Sequence, residues 1–172
     1  MKHRTGGCHK SQRANRSARR ARALTIPLYR IAVVRSRTVS VSSRQRAIGG
    51  SADAKKLLGP LFHALDRECF YVVALDQQHK IIGASLVSVG SLSMAIVHPR
   101  EVFKPAITLN AAAVIVAHNH PSGNPKPSHE DTALTRRLWA AGRVLGIQVL
   151  DHLIFGDRRC LSFADRGLMP SR

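Results

Sequence analysis

Acidic side chains are absent from the first fifty positions of this chain, which carry 13 Lys and Arg; the other 14 stand against all ten acids in residues 51–172. Most of the net charge of +17 over 172 residues therefore belongs to the front. Cysteine is scarce. Cys8, Cys69 and Cys160 are odd in number and far apart, which argues against a disulfide framework and for a reducing, cytoplasmic setting. No apolar run approaches about 18 residues, so no membrane span is expected. No apolar segment follows the basic start, so no secretory leader is expected either. Aromatic residues make up 5% of the chain and none precedes Leu24, which leaves the basic front without a platform for base stacking. The hydrophobic share of 44% nevertheless excludes bulk disorder, and the length suits one core-bearing domain plus a tail.

Charge sets the domain boundary. Residues 1–23, with Lys2, Arg4, Lys10, Arg13, Arg16, Arg19, Arg20 and Arg22 amid Ser, Gly, Gln and Asn, read as a basic disordered arm. Residues 24–172 read as the folded domain. For the arm two readings stand: a non-specific nucleic-acid contact driven by counterion release, or a solvated leader without a role.

Hydrophobic periodicity then orders the domain. Leu24–Val34 reads as a first strand with Pro27 near its start, and residues 35–50 as a loop or edge strand. Ser51 is expected to cap a helix running to about Leu65, with Leu57, Leu58, Leu61, Phe62 and Leu65 on its apolar face and a kink at Pro60. Cys69–Leu75 and Lys80–Val89 read as a hairpin around Asp76–His79, with a further short strand at Met94–Val97. Pro99 opens a second helix that closes at Asn110. Thr132–Gly146 is amphipathic, with Leu134, Leu138, Ala141, Val144 and Leu145 expected to face the core and Gly146 to cap it. Ile147–Phe155 and Cys160–Phe163 read as the last two strands. The order β-α-β-β-α-β-α-β-β predicts an α/β (α+β) domain, a central mixed sheet flanked by helices.

One stretch carries chemistry. Ala111–Val116 reads as a buried strand, and His118 and His120 follow it at a spacing of two, which puts both imidazoles on one face of an extended chain. A stiff loop with Pro121, Gly123, Pro125 and Pro127 leads to Ser128, the expected N-cap of a helix whose third residue is Asp131. Taken singly, each fragment has an ordinary reading: a polar strand end, and a helix start that satisfies its own amides. Together they place two imidazoles and a carboxylate at one end of the fold. Zinc accepts imidazole nitrogen at about 2.0–2.1 Å and carboxylate oxygen at about 2.0–2.2 Å, and catalytic zinc keeps its fourth position for water.

The same residues carry a resemblance. His118-x-His120-Pro121, six intervening residues and Ser128-x-x-Asp131 resemble the JAMM motif of MPN+/JAB metalloproteases. Val97–Phe103, Leu109–Ala113, His118–Gly123 and Leu150–Ile154 narrow it to the RadC-like family of bacterial JAB-domain proteins, over roughly Ile26 to Leu168. The resemblance implies a cytidine-deaminase-like fold, one zinc ion held by His118, His120 and Asp131, and a peptidase or isopeptidase chemistry in which metal-activated water attacks an amide carbonyl of a peptide or protein substrate. It also implies a DNA-repair association. RadC-like proteins commonly carry a helix-hairpin-helix region ahead of this domain; no G-x-G pattern precedes Leu24, so that element is expected to be missing. Ser128 matches the motif serine that supports the oxyanion, in competition with its capping role. The motif's general base is an upstream glutamate, and here its position holds Ser85, with no acid between Asp76 and Glu101. Glu101 or Glu130 is left as a substitute base.

Rival zinc chemistries fit worse, because neither the H-x-E…P-C-x-x-C pattern of deaminases nor H-E-x-x-H occurs. His98 and His152 are expected to be structural rather than ligands, and Asn119 to support the ligands from behind. Two functions follow: a zinc metallohydrolase, or a metal-stabilised scaffold that has lost its base and acts through protein or DNA contacts.

Overall fold

Seven consecutive apolar residues, Cys69–Leu75, can be buried on both faces only as an interior strand of a sheet covered on both sides, and that is where they lie. The computed structural model describes residues 47–62, 65–90, 97–157 and 159–171. Its elements are α1 (Ser51–Leu58), a 3₁₀ turn (Gly59–Leu61), β1 (Cys69–Leu75), β2 (Ile81–Val89), α2 (Pro99–Thr108), β3 (Ala113–Asn119), α3 (His129–Leu145), β4 (Gln148–Phe155) and β5 (Cys160–Ser162). They form a mixed five-stranded sheet in the order β2-β1-β3-β4-β5, an α+β fold in three layers. Only β3 and β4 are parallel, with α3 as their crossover.

The alternation of β1 and β3 sorts their side chains onto two cores. Tyr71, Val73, Leu75, Ile115 and Ala117 meet α1, with Phe62, Leu153 and Phe155. Phe70, Val72, Ala74, Val114 and Val116 meet α2 and α3, through Val102, Phe103, Ala106, Leu134 and Leu138. β1 and β3 are buried along their whole length.

The hairpin, the Pro99 helix start and the left-handed Gly146 cap (φ 71°) stand as expected. Asn110, with φ 53°, turns the chain out of α2. The last strands are each one residue shorter than expected, and β3 starts later and runs through His118. Three expectations need correction. The first helix stops at Leu58 instead of reaching Leu65, because Gly59-Pro60 opens a 3₁₀ turn and proline lacks the N–H that would extend the α-helical ladder. Its N-cap is Gly50; the Ser51 hydroxyl donates instead to Asp165 at 2.7 Å. Val144 and Leu145 do not face the core, being 88% and 45% exposed. The buried stripe of α3 is Asp131, Leu134, Thr135, Leu138 and Gly142, and Val144 lies about 200° around the helix from Gly142. Gly142 belongs in the stripe because a Cβ there would press on the Ile147 carbonyl and come within 3.2 Å of Phe103 and Val149.

The basic arm, the Leu24–Val34 strand and most of the Met94–Val97 strand lie outside the described residues. Among those that are described, no helix is long and apolar enough to cross a membrane.

Candidate metal centre

The carboxyl end of the parallel β3–β4 pair faces the start of α3, and the chain's chemistry collects there. His118 is the sixth residue of β3, paired across the sheet with Phe70 and Ile154, so its side chain points to the α2/α3 side. It is 1% exposed, and its ring stacks on Phe70. His120 follows just beyond the strand. A turn closed by Gly123 N–H to the His120 carbonyl (2.9 Å) folds the loop back, and the φ of 75° at Gly123 favours glycine. A Cβ at that position would fall on the Asp157 carboxylate. Asp131 arrives as the third residue of α3.

Two of the first-turn groups of α3 answer each other in a capping box. The Ser128 hydroxyl accepts from Asp131 N–H at 3.0 Å, and Asp131 Oδ2 accepts from Ser128 N–H at 2.7 Å. The Ser128 hydroxyl also donates to Oδ2, at 2.7 Å. Both of the short Ser128 contacts thus fall on Oδ2. Oδ1 is turned to His118 Nε2, at 3.2 Å. His120 Nε2 lies 3.0 Å from His118 Nε2 and 3.5 Å from Asp131 Oδ2. One nitrogen from each imidazole and one carboxylate oxygen lie within 4.8 Å of one another, a group able to hold a metal ion.

Hydrogen-bond partners fix which ring atoms carry protons. The Asn124 carbonyl, 2.8 Å from His120 Nδ1, can only accept, so Nδ1 carries the proton and Nε2 of the neutral ring presents a lone pair. For His118 the chain of bonds is longer. Thr135 donates its single hydroxyl proton to the Asp131 carbonyl at 2.7 Å. It must then accept from His152 Nδ1, also at 2.7 Å. That leaves His152 Nε2 to accept from His118 Nδ1 at 2.9 Å. His118 therefore also presents its Nε2 lone pair inward. With both rings neutral, two imidazole lone pairs and a carboxylate converge without a donor among them. Such a set is favourable only around a cation.

The electrostatics show the same demand for positive charge, which a proton on His120 can meet as well as a metal ion. Burial pushes the Asp131 carboxyl up, but contacts with His118, His120 and Ser128 outweigh it and hold the acid far below its usual range. The hydrogen bond to Asp131 in turn raises His120, against the effect of burial. His152, with no exposure at all, is driven well down by burial and kept neutral.

The other residues singled out by sequence fall in different places. Glu101 pairs with Lys104 at 2.9 Å and Arg100 at 3.5 Å, and it is not a member of the cluster. Glu130 is exposed beside Asp131. His98 is the N-cap of α2, its Nδ1 accepting from Arg100 N–H at 3.2 Å. Asn119 turns to the opposite face, as strand alternation requires, and ties the start of β1 by accepting from Cys69 N–H and donating to the Arg67 carbonyl. The residue that supports the ligands from behind is His152, with Thr135 behind it. Sequence reading missed Thr135, although its spacing of four from Asp131 places it one turn along the same helix face. On β2, Ser85 pairs with Val72 of β1 and Ser88 with Phe70, the neighbour of His118. No residue of β2 is acidic.

Comparison with known proteins places this geometry in context. The model of a family described as the RadC-like JAB domain matches residues 48–168. A UPF0758 protein of Moorella thermoacetica is 48% identical over 133 residues, which make up 77% of this chain and 58% of that protein. A UPF0758 protein of Symbiobacterium thermophilum is 52% identical over 114 residues, covering 66% and 49%. One of Pelobacter propionicus is 56% identical over 103 residues, covering 60% and 45%. The chain spans about half the length of the curated relatives it matches.

Proposed function

The chain belongs to the RadC-like JAB family, and from that premise we propose that it is a zinc-dependent metallohydrolase of the peptidase or isopeptidase type. The observation that carries the reading is the convergence of His118 Nε2, His120 Nε2 and an Asp131 oxygen into a group able to hold a metal ion. Ligand atoms held at about 2.0–2.1 Å around a tetrahedral ion lie about 3.3 Å apart. The two separations from His118 Nε2, 3.0 Å to His120 Nε2 and 3.2 Å to Asp131 Oδ1, lie close to that value, and His120 Nε2 lies 3.5 Å from the other oxygen, Oδ2. Two nitrogens and one carboxylate oxygen suit zinc, and three protein ligands are the number typical of a catalytic site.

When bound, the ion supplies Lewis-acid polarisation and lowers the pKa of water from 15.7 to about 7. The protein's own residues do the rest. Ser128 holds Oδ2 of Asp131 through two short contacts, which leaves Oδ1 directed inward. Its hydroxyl, held beside Asp131, could steady a developing oxyanion, and in doing so it would exchange its contact with Asp131. Proton transfer to the leaving amine is the weak point. β2 offers Ser85 and Ser88 where a carboxylate would serve, and Glu101 would have to leave Lys104 to act.

That defect supports a second reading: a metal-stabilised scaffold acting through protein or DNA contacts, to which the basic residues 1–23 would contribute. Metal analysis of the purified protein, paired with cleavage of a generic amide substrate, separates the two. One zinc per chain with chelator-sensitive turnover supports the hydrolase; stoichiometric zinc without turnover puts the scaffold first. Full zinc content in a His118→Ala/Asp131→Ala double variant would refute the ligand set for both.

A further inference from the structure

We propose that His152 and Thr135 are positioning residues that select the metal-binding tautomer of His118. The inference rests on the metal-site reading above and adds a role that its three ligands do not contain. His118 can present either nitrogen to a ligand, and the choice belongs to whatever faces the other one. Here that partner is His152 Nε2, at 2.9 Å, in a side chain with no solvent exposure. An imidazole is itself ambiguous and could return the proton the wrong way. Thr135 removes the ambiguity: its hydroxyl is committed as a donor to the Asp131 carbonyl, so toward His152 Nδ1 it can only accept.

The direction of every proton in the series is thus set by a main-chain carbonyl, a group that has none to give. The contacts are direct, at 2.7–2.9 Å, and His118, His152 and Thr135 are almost wholly shielded from bulk solvent, at 1%, 0% and 0% exposure. Phe163 and Phe70 hold the rings in place, Phe163 stacked on His152 with centroids 4.9 Å apart and Phe70 stacked on His118 at 5.7 Å. The series closes on itself. α3 delivers Asp131 as a ligand and, one turn later, Thr135 as the group that orients the ligand on β3. Docking of α3 on β4 and readiness of His118 are therefore one event. Were His152 to carry its proton on Nε2 instead, His118 Nδ1 would accept, and its Nε2–H would point into the ligand cluster, where it competes with a metal ion.

The test compares Thr135→Val, which keeps shape and loses the hydroxyl, with Thr135→Ser, which restores it. Affinity for Zn²⁺ and Co²⁺ is measured by chelator competition, and the His118 ring tautomer by long-range ¹H–¹⁵N correlation. Partners behind metal ligands typically contribute 10–100-fold in affinity. Thr135→Val is expected to lose that much and to show His118 no longer protonated solely on Nδ1; Thr135→Ser is expected to recover to within about threefold. A merely structural threonine would lower the melting temperature and leave both readouts in place. Wild-type affinity in Thr135→Val, or a serine variant as weak as valine, overturns the proposal. If the valine variant does not fold, His152→Gln, which keeps an acceptor toward His118 Nδ1, must retain the Nδ1–H signature that His152→Leu loses; equal signatures overturn it. If the parent protein binds neither ion, the function proposed above falls, and the tautomer in the metal-free protein still decides this one: Nδ1–H upholds the relay and Nε2–H refutes it.

Discussion

Replacing Asp131 by asparagine separates the two tasks that one carboxylate performs. Oδ2 receives Ser128 N–H and Ser128 O–H, each at 2.7 Å, whereas Oδ1 faces His118 Nε2 at 3.2 Å. An asparagine with its carbonyl oxygen on the Ser128 side keeps the capping box. Its NH₂ then replaces Oδ1 and donates to the His118 lone pair, so the crowd of acceptors is relieved without a cation. The metal-free variant is therefore expected to melt within about 2 °C of the parent or above it, since a net hydrogen bond contributes about 0.5–1.5 kcal/mol and domains of this size shift by about 2–4 °C per kcal/mol. Asp131→Ala loses both tasks. It strands the Ser128 N–H, at a cost of about 1–3 kcal/mol. Added zinc tells the other half. At a free concentration 100 times Kd, binding stabilises the parent by about 2.7 kcal/mol, about 5–10 °C for a domain of this length. Neither variant should show that upshift. The assay is thermal unfolding with and without zinc, on three proteins. A zinc-induced upshift in Asp131→Asn equal to the parent's would refute Asp131 as a ligand. Metal-free Asp131→Asn as unstable as Asp131→Ala would refute the division of labour between its oxygens.

Three further outcomes are expected. Ser85→Glu should raise amide hydrolysis by up to about 10²–10⁴-fold, the usual contribution of a positioned general base, with zinc content unchanged; a parent that is already fast and is silenced by Glu101→Gln or Glu130→Gln would show that the base sits elsewhere. Gly123→Ala should cost about 1–2 kcal/mol for its left-handed φ of 75° alone, and more for the collision with Asp157; because that turn carries His120, zinc affinity should fall with it, whereas Gly146→Ala, strained at φ 71° in open space, should lower only the melting temperature. The Cys160 thiol is pushed up to about 12, chiefly by burial. Only about one molecule in 10⁴ then carries the thiolate at pH 8, and peptide mapping after brief alkylation should find Cys160 unmodified until pH rises well above 9; rapid labelling at pH 7 would contradict the packing around β5.

Much of the site was legible because its parts are local. The spacing of His118 and His120 is a property of one strand end, and Ser128 with Asp131 is a property of one helix start; in the structure His118 lies in β3 with His120 just beyond it, and Ser128 and Asp131 form the capping box of α3. The failures share a physical cause as well. Val144 and Leu145 are apolar, and the pattern of α3 absorbed them into a core face that Gly142 in fact occupies, a residue chosen for what it lacks. Apolar spacing carries the expected first helix through Gly59-Pro60, where the missing N–H has the larger effect.

His152 shows the deeper limit. Between Val114 and Ile115 the pairing of β3 with β4 slips by one residue: Val114 faces Val149, but Ile115 faces Asp151. A one-residue slip exchanges the two faces of a strand. In unbroken register Asp151 would stand beside Val116 on the metal side, and His152 would lie across from Ala117 among the apolar residues packed under α1. The irregularity reverses this. His152 comes to face His118, while Asp151 turns away to accept from Ser162 O–H at 2.6 Å, His152 N–H at 2.7 Å and Ala164 N–H at 2.9 Å, anchoring β5 and the chain that follows it. Those three donors pin the slipped register from one side, and Thr135 pins it from the other. Deleting Leu150, the residue left over by the slip, should therefore shorten β4 without exchanging its faces, because Val114–Val149 would run directly into Ile115–Asp151 and Val116–His152. His152 would stay beside His118 and Asp151 would keep its Ser162 and Ala164 donors, so zinc affinity measured by chelator competition should hold; a loss as large as that of a missing ligand would refute the register argument. Neither histidine nor aspartate periodicity predicts which of the adjacent pair Asp151-His152 faces the metal; the sheet decides it by one residue.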